Sequence, residues 1–402
     1  MSRLRIYVVL ALCLCLHLFS GVEARASLAV DSAEQMRDDY IQANLLVVNP
    51  ASDVYSVFGH SLLQLQCPLK GMDYCFSFET PVDSRNLISF LNGSARGCYR
   101  AIPTDEILEA YREAGRCVSA YPLNLSPTEK LTLWQQVDER IAQGRAWPFR
   151  YMHTQCTSML INLVQSSLAH PIIYATADGD DESFRDCLLA EAGANSWTAF
   201  FWQTIMGPEG DATTPYEHKL TPQRLVTAWQ HATVGNSSRR LLEEKGEELV
   251  SAPSSVRTFS VTPVVVLAFL TIFVACLGAM RYYRECPKIT NALAIGLVFL
   301  YAALSIVFTW LILCSTQDAT QWNWYFVAFN PLVLLLALFR KTRKLAMQLL
   351  AAAIVLLMLL TPFVPQLDGS HVLLMLPFLI QLTITLHNNY QYNNANLKVK
   401  PL

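Results

Sequence analysis

The chain has 402 residues, of which 52% are hydrophobic and only 15% are charged, and its formal net charge is −2. Soluble domains usually carry about 25% charged residues, so we do not expect the whole chain to be an ordinary soluble domain. We expect no nucleic-acid partner.

The first 26 residues have the pattern of a secretory signal peptide. Arg3 and Arg5 give a basic start, an apolar stretch runs from residue 6 to residue 19, and the small-residue sequence "ARA" ends at Ala26. The residues that follow are therefore expected to be exported.

Residues 27–235 mix polar and apolar side chains and are numerous enough for one exported domain with its own core. Residues 236–258 are charged and then rich in Pro and Ser, which is typical of a solvated juxtamembrane linker.

Five apolar runs occupy residues 259–387, and the third and fifth are short. Each run is near the roughly 20 residues that a helix needs to cross a bilayer, and almost no polar face separates them. We predict an all-α membrane domain of five transmembrane helices. Basic residues follow the first, third and fifth runs, which places the exported domain outside the cytoplasmic (inner) membrane and the tail 388–402 in the cytoplasm.

Six cysteines lie in the exported part: Cys67, Cys75, Cys98, Cys117, Cys156 and Cys187. Export favours disulfides. Proximity in sequence suggests that Cys67 pairs with Cys75 across a hairpin and that Cys98 pairs with Cys117. Cys156 and Cys187 are then either bridged to each other or free.

Cys156 begins an apolar helical pattern that runs through "CTSMLINLVQSSLAH". Unpaired N–H groups and the positive end of the helix dipole stabilise a thiolate there. The best candidate base is His60, which begins an expected edge or half-buried strand, "SLLQLQ", after Gly59. The returning strand "DYCFSFE" puts Ser77 near His60, where its hydroxyl would orient the imidazole.

Other interpretations of these residues remain open. An isolated exported cysteine is more often structural than catalytic. His153 and Cys156 have the spacing of a metal half-site, with His60 as a third ligand, but no second pair matches, and we expect neither a metal nor a cofactor. The segment "WTAFFW" at residues 197–202 is expected to be core rather than a lipid-binding surface.

Ordered blocks of this sequence resemble the Lnb family of bacterial apolipoprotein N-acyltransferases. The blocks are "DVYSVFGHSLLQL", "FLNG", "YREAGRCVSAYPLNLSPTEK", "FRYMHTQCTSMLINLV", "WTAFFWQTIMGPEGDATTPYEHKLTPQRL" and, in the third apolar run, "WNWYFVAFNPLVLLLALF". The chain departs from the family at Thr154 and Gln155, where Asp-Asn is usual, and at residues 76–79, where Tyr-Asn-Tyr-Gly is usual.

The resemblance implies an α+β exported domain of permuted papain-like fold, a small antiparallel sheet with helices in which the histidine strand precedes the cysteine helix. It implies a catalytic pair, Cys156 and His60, that would move an acyl chain from a membrane phospholipid to a lipoprotein. Ser77 is our candidate for the third catalytic residue from the expected hairpin, not from the resemblance. We assign further residues to substrate binding: Gly59, Tyr55, Gln155, His153, Trp322 and Trp324.

Two functions of other classes remain open at this point. One is a membrane-anchored, papain-like cysteine peptidase or amidase acting on the cell wall, although one anchor would suffice for such an enzyme. The other is a non-catalytic lipoprotein-binding factor in which Cys156 is bridged to Cys187.

Overall fold

The computed structural model describes residues 37, 40–51, 56–80, 87–175, 182–193, 195–212, 220–242, 245–252, 261–283 and 287–398. The predicted signal peptide, Tyr55 and the last four residues of the predicted tail lie outside the described residues.

An antiparallel sheet forms the centre of the exported domain, and a two-stranded sheet lies beside it. The strands are β1 (Gln42–Val48), β2 (His60–Cys67), β3 (Met72–Glu79), β4 (Arg96–Pro103), β5 (Val118–Pro122), β6 (Ala146–Pro148), β7 (Ile172–Ile173), β8 (Thr233–Val234) and β9 (Glu247–Val250). In the main sheet the order is β6-β4-β3-β2-β1-β5-β9, and β7 pairs with β8.

Helices cover both faces of this sheet. They are α1 (Leu87–Asn92), α2 (Thr104–Glu113), α3 (Pro127–Ala142), α4 (Cys156–Ser167), α5 (Phe184–Ala192), α6 (Trp197–Ile205) and α7 (Pro222–His231). Helices α3, α4 and α7 pack with Leu63 and Leu65 on one face of β2. Helix α2 covers Leu62 on the other face.

The position of β2 differs from the sequence expectation. The strand was expected at an edge or half-buried, but it lies between β1 and β3 and is buried on both faces. The alternation of leucine with glutamine suggested one wet face. Gln64 is instead buried and its amide donates to Asp73 (3.0 Å). A satisfied hydrogen bond removes most of the cost of burying that amide.

In the segment 236–258, expected to be a solvated linker, the described residues include a strand and part of the core. Strand β9 forms an edge of the main sheet by pairing with β5, and Leu241 and Leu242 are buried in the core. The linker expectation is therefore wrong for this part. The charged residues of the segment suggested a solvated connector. An edge strand, however, can expose charged side chains and still bury alternate apolar ones.

Neither of the predicted local disulfides is present, and none of the six exported cysteines forms a disulfide. Cys67 and Cys75 belong to the same hairpin, but they face opposite sides of the sheet and join different hydrophobic clusters. Cys98 lies in β4 and Cys117 precedes β5, which is separated from β4 by three strands.

The membrane domain follows as helices α8 (Pro263–Tyr282), α9 (Pro287–Cys314), α10 (Tyr325–Ala328), α11 (Pro331–Leu338), α12 (Arg343–Leu360) and α13 (Gly369–Lys398). Among the described residues, α8, α9, α12 and α13 are long and apolar enough to cross a membrane. The third predicted run is shorter and consists of α10 and α11. The helix is interrupted between them, before Pro331, because proline has no backbone N–H to donate.

The predicted α+β exported domain and all-α membrane domain are confirmed. The two parts share one hydrophobic cluster, in which Phe90 and Trp202 of the exported domain join Phe308 and Leu311 of α9. Polar contacts add to this interface: Gly207 N–H donates to the carbonyl of Ala319 (2.7 Å) in the loop after α9. The membrane domain therefore packs directly on the exported domain.

Candidate active site

Gly59 turns the chain into β2 and places His60 at the end of the sheet. Its φ is +82°, and a Cβ at this position would lie 2.4 Å from the carbonyl oxygen of Val48 in β1. Only glycine combines this backbone conformation with so close an approach. His60 therefore begins β2 directly opposite Val48.

Cys156 is the first residue of α4, as its sequence pattern indicates. Gln155 caps this helix: its Oε1 accepts from the N–H of Thr157 (2.8 Å), and the Oγ of Ser158 accepts from the N–H of Gln155 (3.1 Å). The cap satisfies two of the N–H groups that a helix leaves unpaired at its start. The sulfur thus lies at the positive end of the helix dipole.

One buried hydrogen bond connects the histidine strand to the cysteine helix. The hydroxyls of Ser61 and Thr157 lie 3.3 Å apart, and both side chains are fully buried. Ser61 follows His60 and Thr157 follows Cys156. The bond therefore holds the neighbours of the two chemical groups at a fixed separation.

The imidazole of His60 and the backbone N–H and hydroxyl of Ser61 act on the thiol of Cys156 and lower its pKa. Burial alone raises the pKa of this thiol, but the charge and hydrogen bond of His60 and the hydrogen bonds of Ser61 outweigh it. The pKa of Cys156 falls from 9.0 to about 6. Most of the sulfur is then thiolate at neutral pH, which is the form that acts as a nucleophile.

Ser77 contacts the other side of the imidazole. Its Oγ lies 2.8 Å from Nε2 of His60, and the serine is fully buried in β3. Because Ser77 engages Nε2, the nitrogen that remains for the sulfur is Nδ1. The structure thus brings together Cys156, His60 and Ser77 in the arrangement that a nucleophile, a base and an orienting group require.

A cavity of about 350 Å³ lies beside these groups. Six aromatic residues of its lining, here called the aromatic wall, are Phe58, Phe90, Phe149, Tyr151, Phe184 and Trp202. Polar residues of the lining include Glu79, Thr80, Tyr111 and Arg116. The rings of the aromatic wall belong to, or pack against, the hydrophobic cluster that continues into the membrane domain.

The other predicted site residues have mixed positions. Gln155 lines the cavity and its Oε1 lies 3.6 Å from the Cys156 sulfur. His153 points instead toward Asp318 of the membrane domain, with 3.8 Å between Nε2 and Oδ2. Trp322 is 76% exposed, and neither it nor Trp324 lines the cavity. In the described part of the chain, no three metal-binding side chains are grouped together.

Sequence reasoning missed Ser61, Thr157 and the aromatic wall. Ser61 directly follows His60, and Thr157 directly follows Cys156. The sequence therefore places both beside the predicted pair, but nothing in it indicates that their hydroxyls meet. Trp202 was expected only as core, yet it lines the cavity. The rings of the wall come from separate parts of the chain, and only the fold brings them together.

Family comparisons cover most of the chain in two parts. The model of the Lnb N-terminal periplasmic domain matches residues 31–182, and the model of the Lnb transmembrane domain matches residues 254–393. No curated protein and no solved structure matches the chain. Residues of both the cavity and the membrane-domain interface fall within the matched regions.

The lowered pKa of Cys156 predicts its reactivity with iodoacetamide. Alkylation requires the thiolate, so the rate at Cys156 should fall as pH drops through about 6 and should be nearly constant above neutral pH. His60→Ala removes the imidazole while burial remains, and the midpoint should rise to the ordinary 9.0 or higher. Peptide mass spectrometry measures the rate at this residue. A wild-type midpoint near 9, or one unchanged in His60→Ala, contradicts the assignment.

Proposed function

This chain belongs to the Lnb family, and we propose on that basis that it is a lipoprotein N-acyltransferase. It is a membrane protein with a periplasmic N-terminal domain and a transmembrane domain. In the proposed reaction, an acyl chain moves from a membrane phospholipid through Cys156 to the α-amine of a diacylglyceryl-cysteine lipoprotein. The tail 388–402 would lie in the cytoplasm.

One observation carries the proposal: a thiol of lowered pKa meets an imidazole in a cavity with an aromatic wall next to the membrane domain. A thiolate paired with a base is suited to forming a covalent acyl intermediate. An apolar cavity beside the bilayer suits an acyl chain better than it suits a peptide or a glycan.

In the first half-reaction, His60 holds the proton of the Cys156 thiol while the sulfur attacks the ester carbonyl carbon of the phospholipid. The backbone N–H of Cys156, which the Gln155 cap does not engage, would stabilise the resulting oxyanion. The bond between that carbon and the glycerol oxygen then breaks, and His60 gives its proton to the departing oxygen. A lysophospholipid leaves, and the acyl chain remains on Cys156 as a thioester.

In the second half-reaction, the α-amine of the lipoprotein attacks the thioester carbonyl. His60 takes a proton from the amine, the carbon–sulfur bond breaks, and the proton returns to the sulfur. The product is an amide, and Cys156 is regenerated. The aromatic wall keeps water from the thioester, which favours transfer over hydrolysis.

The bridged, non-catalytic alternative does not describe this structure. No disulfide joins Cys156 to Cys187, and the Cys187 sulfur lies 3.3 Å from a guanidinium nitrogen of Arg224. The thiol pair by itself suits a peptidase or amidase equally well. The position of the cavity against the membrane domain favours the lipid reaction.

A reporter lipoprotein tests the proposed reaction. In cells depleted of their own lipoprotein N-acyltransferase, the wild-type chain should restore an N-acyl group on the reporter, as measured by mass spectrometry of its N-terminal peptide. Cys156→Ala should abolish this product because no thioester can form. The matched control is Cys98→Ala, since Cys98 lies in β4 outside the cavity. If the wild-type chain gives no more N-acylated reporter than Cys156→Ala does, the proposed reaction is wrong.

Ser77 provides a second test, on the orientation of the imidazole. Ser77→Ala removes the hydroxyl that lies 2.8 Å from His60 Nε2. Hydrogen bonds to groups that become charged contribute about 1.5–3 kcal/mol, so transfer by the purified chain should slow roughly ten- to a hundredfold. Ser94→Ala is the control, because Ser94 is exposed and outside the cavity. Equal rates for the two variants would show that Ser77 does not orient His60.

A further inference from the structure

Gln317 lies in the loop that follows α9, in the membrane domain. Its side chain hydrogen-bonds to three backbone groups of the exported domain. Its Nε2 donates to the carbonyls of Phe90 (3.0 Å) and Phe149 (3.1 Å), and its Oε1 accepts from the N–H of Tyr151 (3.3 Å). The residue is 1% exposed. Loss of the amide would leave buried backbone groups without these partners, which is costly.

The three residues that Gln317 contacts all belong to the aromatic wall of the cavity. The ring of Phe90 stacks on that of Phe149 with 5.4 Å between centroids, and it lies 4.7 Å from the ring of Tyr151. The Tyr151 ring contacts Trp202 at 5.0 Å. One amide of the membrane domain therefore joins the end of α1 to the segment that leads into Cys156.

We propose that Gln317 is a positioning residue that sets the width of a fatty-acyl site along the aromatic wall. The membrane domain then does more than anchor the enzyme, because it completes the site that receives the chain. The acyl carbonyl would lie at Cys156 and the first methylenes along the faces that Phe90 and Tyr151 present to the cavity. This inference rests on the proposed acyl-transfer function.

The same interface offers a matched control residue. Asn323 is 2% exposed, and its Nδ2 donates to the carbonyls of Thr204 (2.8 Å) and Ile205 (3.1 Å). Neither acceptor lines the cavity. Loss of the Asn323 amide thus weakens the contact between the domains to a similar degree without touching the backbone of the aromatic wall.

The test measures alkylation of Cys156 in the full chain, in one detergent, with N-alkyl iodoacetamides of increasing chain length. The rate at the exposed Cys314, at the end of α9, corrects for partitioning of the reagent into the micelle. In the wild type the corrected rate should rise with chain length, by up to about fourfold for each CH₂ group that becomes buried. Unsubstituted iodoacetamide reports the state of the thiol itself.

Gln317→Met keeps the size of the side chain but removes the amide, so the rise with chain length should shrink severalfold while the rate with plain iodoacetamide stays near that of the wild type. Asn323→Leu should keep the wild-type rise. If Gln317→Met does not fold, Gln317→Asn retains an amide with shorter reach and should show a smaller change of the same sign. A wild type without chain-length dependence, or a Gln317 variant that matches Asn323→Leu, overturns the inference.

These outcomes separate the inference from the proposed function. Alkylation needs neither a phospholipid nor a lipoprotein, so the chain-length dependence is measured whether or not acyl transfer occurs. A reporter that stays without an N-acyl group while the dependence persists overturns acyl transfer alone. A reporter that is acylated while the dependence is insensitive to Gln317 overturns the inference alone.

Discussion

The hydrogen bond between Ser61 and Thr157 is the contact on which the rest of the site depends. It joins the first turn of the cysteine helix to the central strand that carries the histidine, at a point where both side chains are buried. The bond holds together two residues 96 positions apart in sequence, and with them their chain neighbours His60 and Cys156. In a buried setting such a bond is strong, because no water competes for its partners.

The surrounding fold serves this junction from both sides. Gly59 lets the chain press against the end of β1 so that His60 begins the strand, and Gln155 caps α4 so that Cys156 begins the helix. Elsewhere in the fold, the Cys156 thiol would lack the groups that lower its pKa. Together, the imidazole of His60 and the N–H and hydroxyl of Ser61 lower the pKa of a thiol that burial alone would raise.

The interface with the membrane domain gives the site its second property, an apolar cavity. The aromatic wall is continuous with the cluster that includes Phe308 and Leu311 of α9. Buried amides of Gln317 and Asn323 fix this interface by bonding to backbone carbonyls. The cavity thus lies against the membrane domain, which is where the proposed reaction between two lipids needs it.

The sequence predicted the parts of the structure that depend on local pattern. The start of α4, the hairpin of β2 and β3 and the apolar helices all followed from periodicity, since one element buries one face. The central position of β2 and the inclusion of β9 in the sheet did not, because burial of Gln64 and of Leu241 depends on partners far away in sequence. The expected bridge between Cys67 and Cys75 failed for a related reason: proximity along a hairpin does not say which face a side chain takes.

The candidate site shows the same division. Cys156, His60 and Ser77 were found because each stands at a recognisable place in an element. Trp322 and Trp324 were chosen for their nearness to the membrane boundary, and the fold keeps both away from the cavity. The rings of the aromatic wall come from five separate segments, so no spacing in the sequence could have grouped them.

The most direct test of the account is the mass of the full chain after incubation with phospholipid vesicles in the absence of a lipoprotein acceptor. The account predicts an increase by one acyl group, located on Cys156 by peptide mapping and released by neutral hydroxylamine as a thioester would be. Two results would contradict it: an unchanged mass of a preparation that does acylate the reporter once the reporter is added, or an acyl group on a residue other than Cys156.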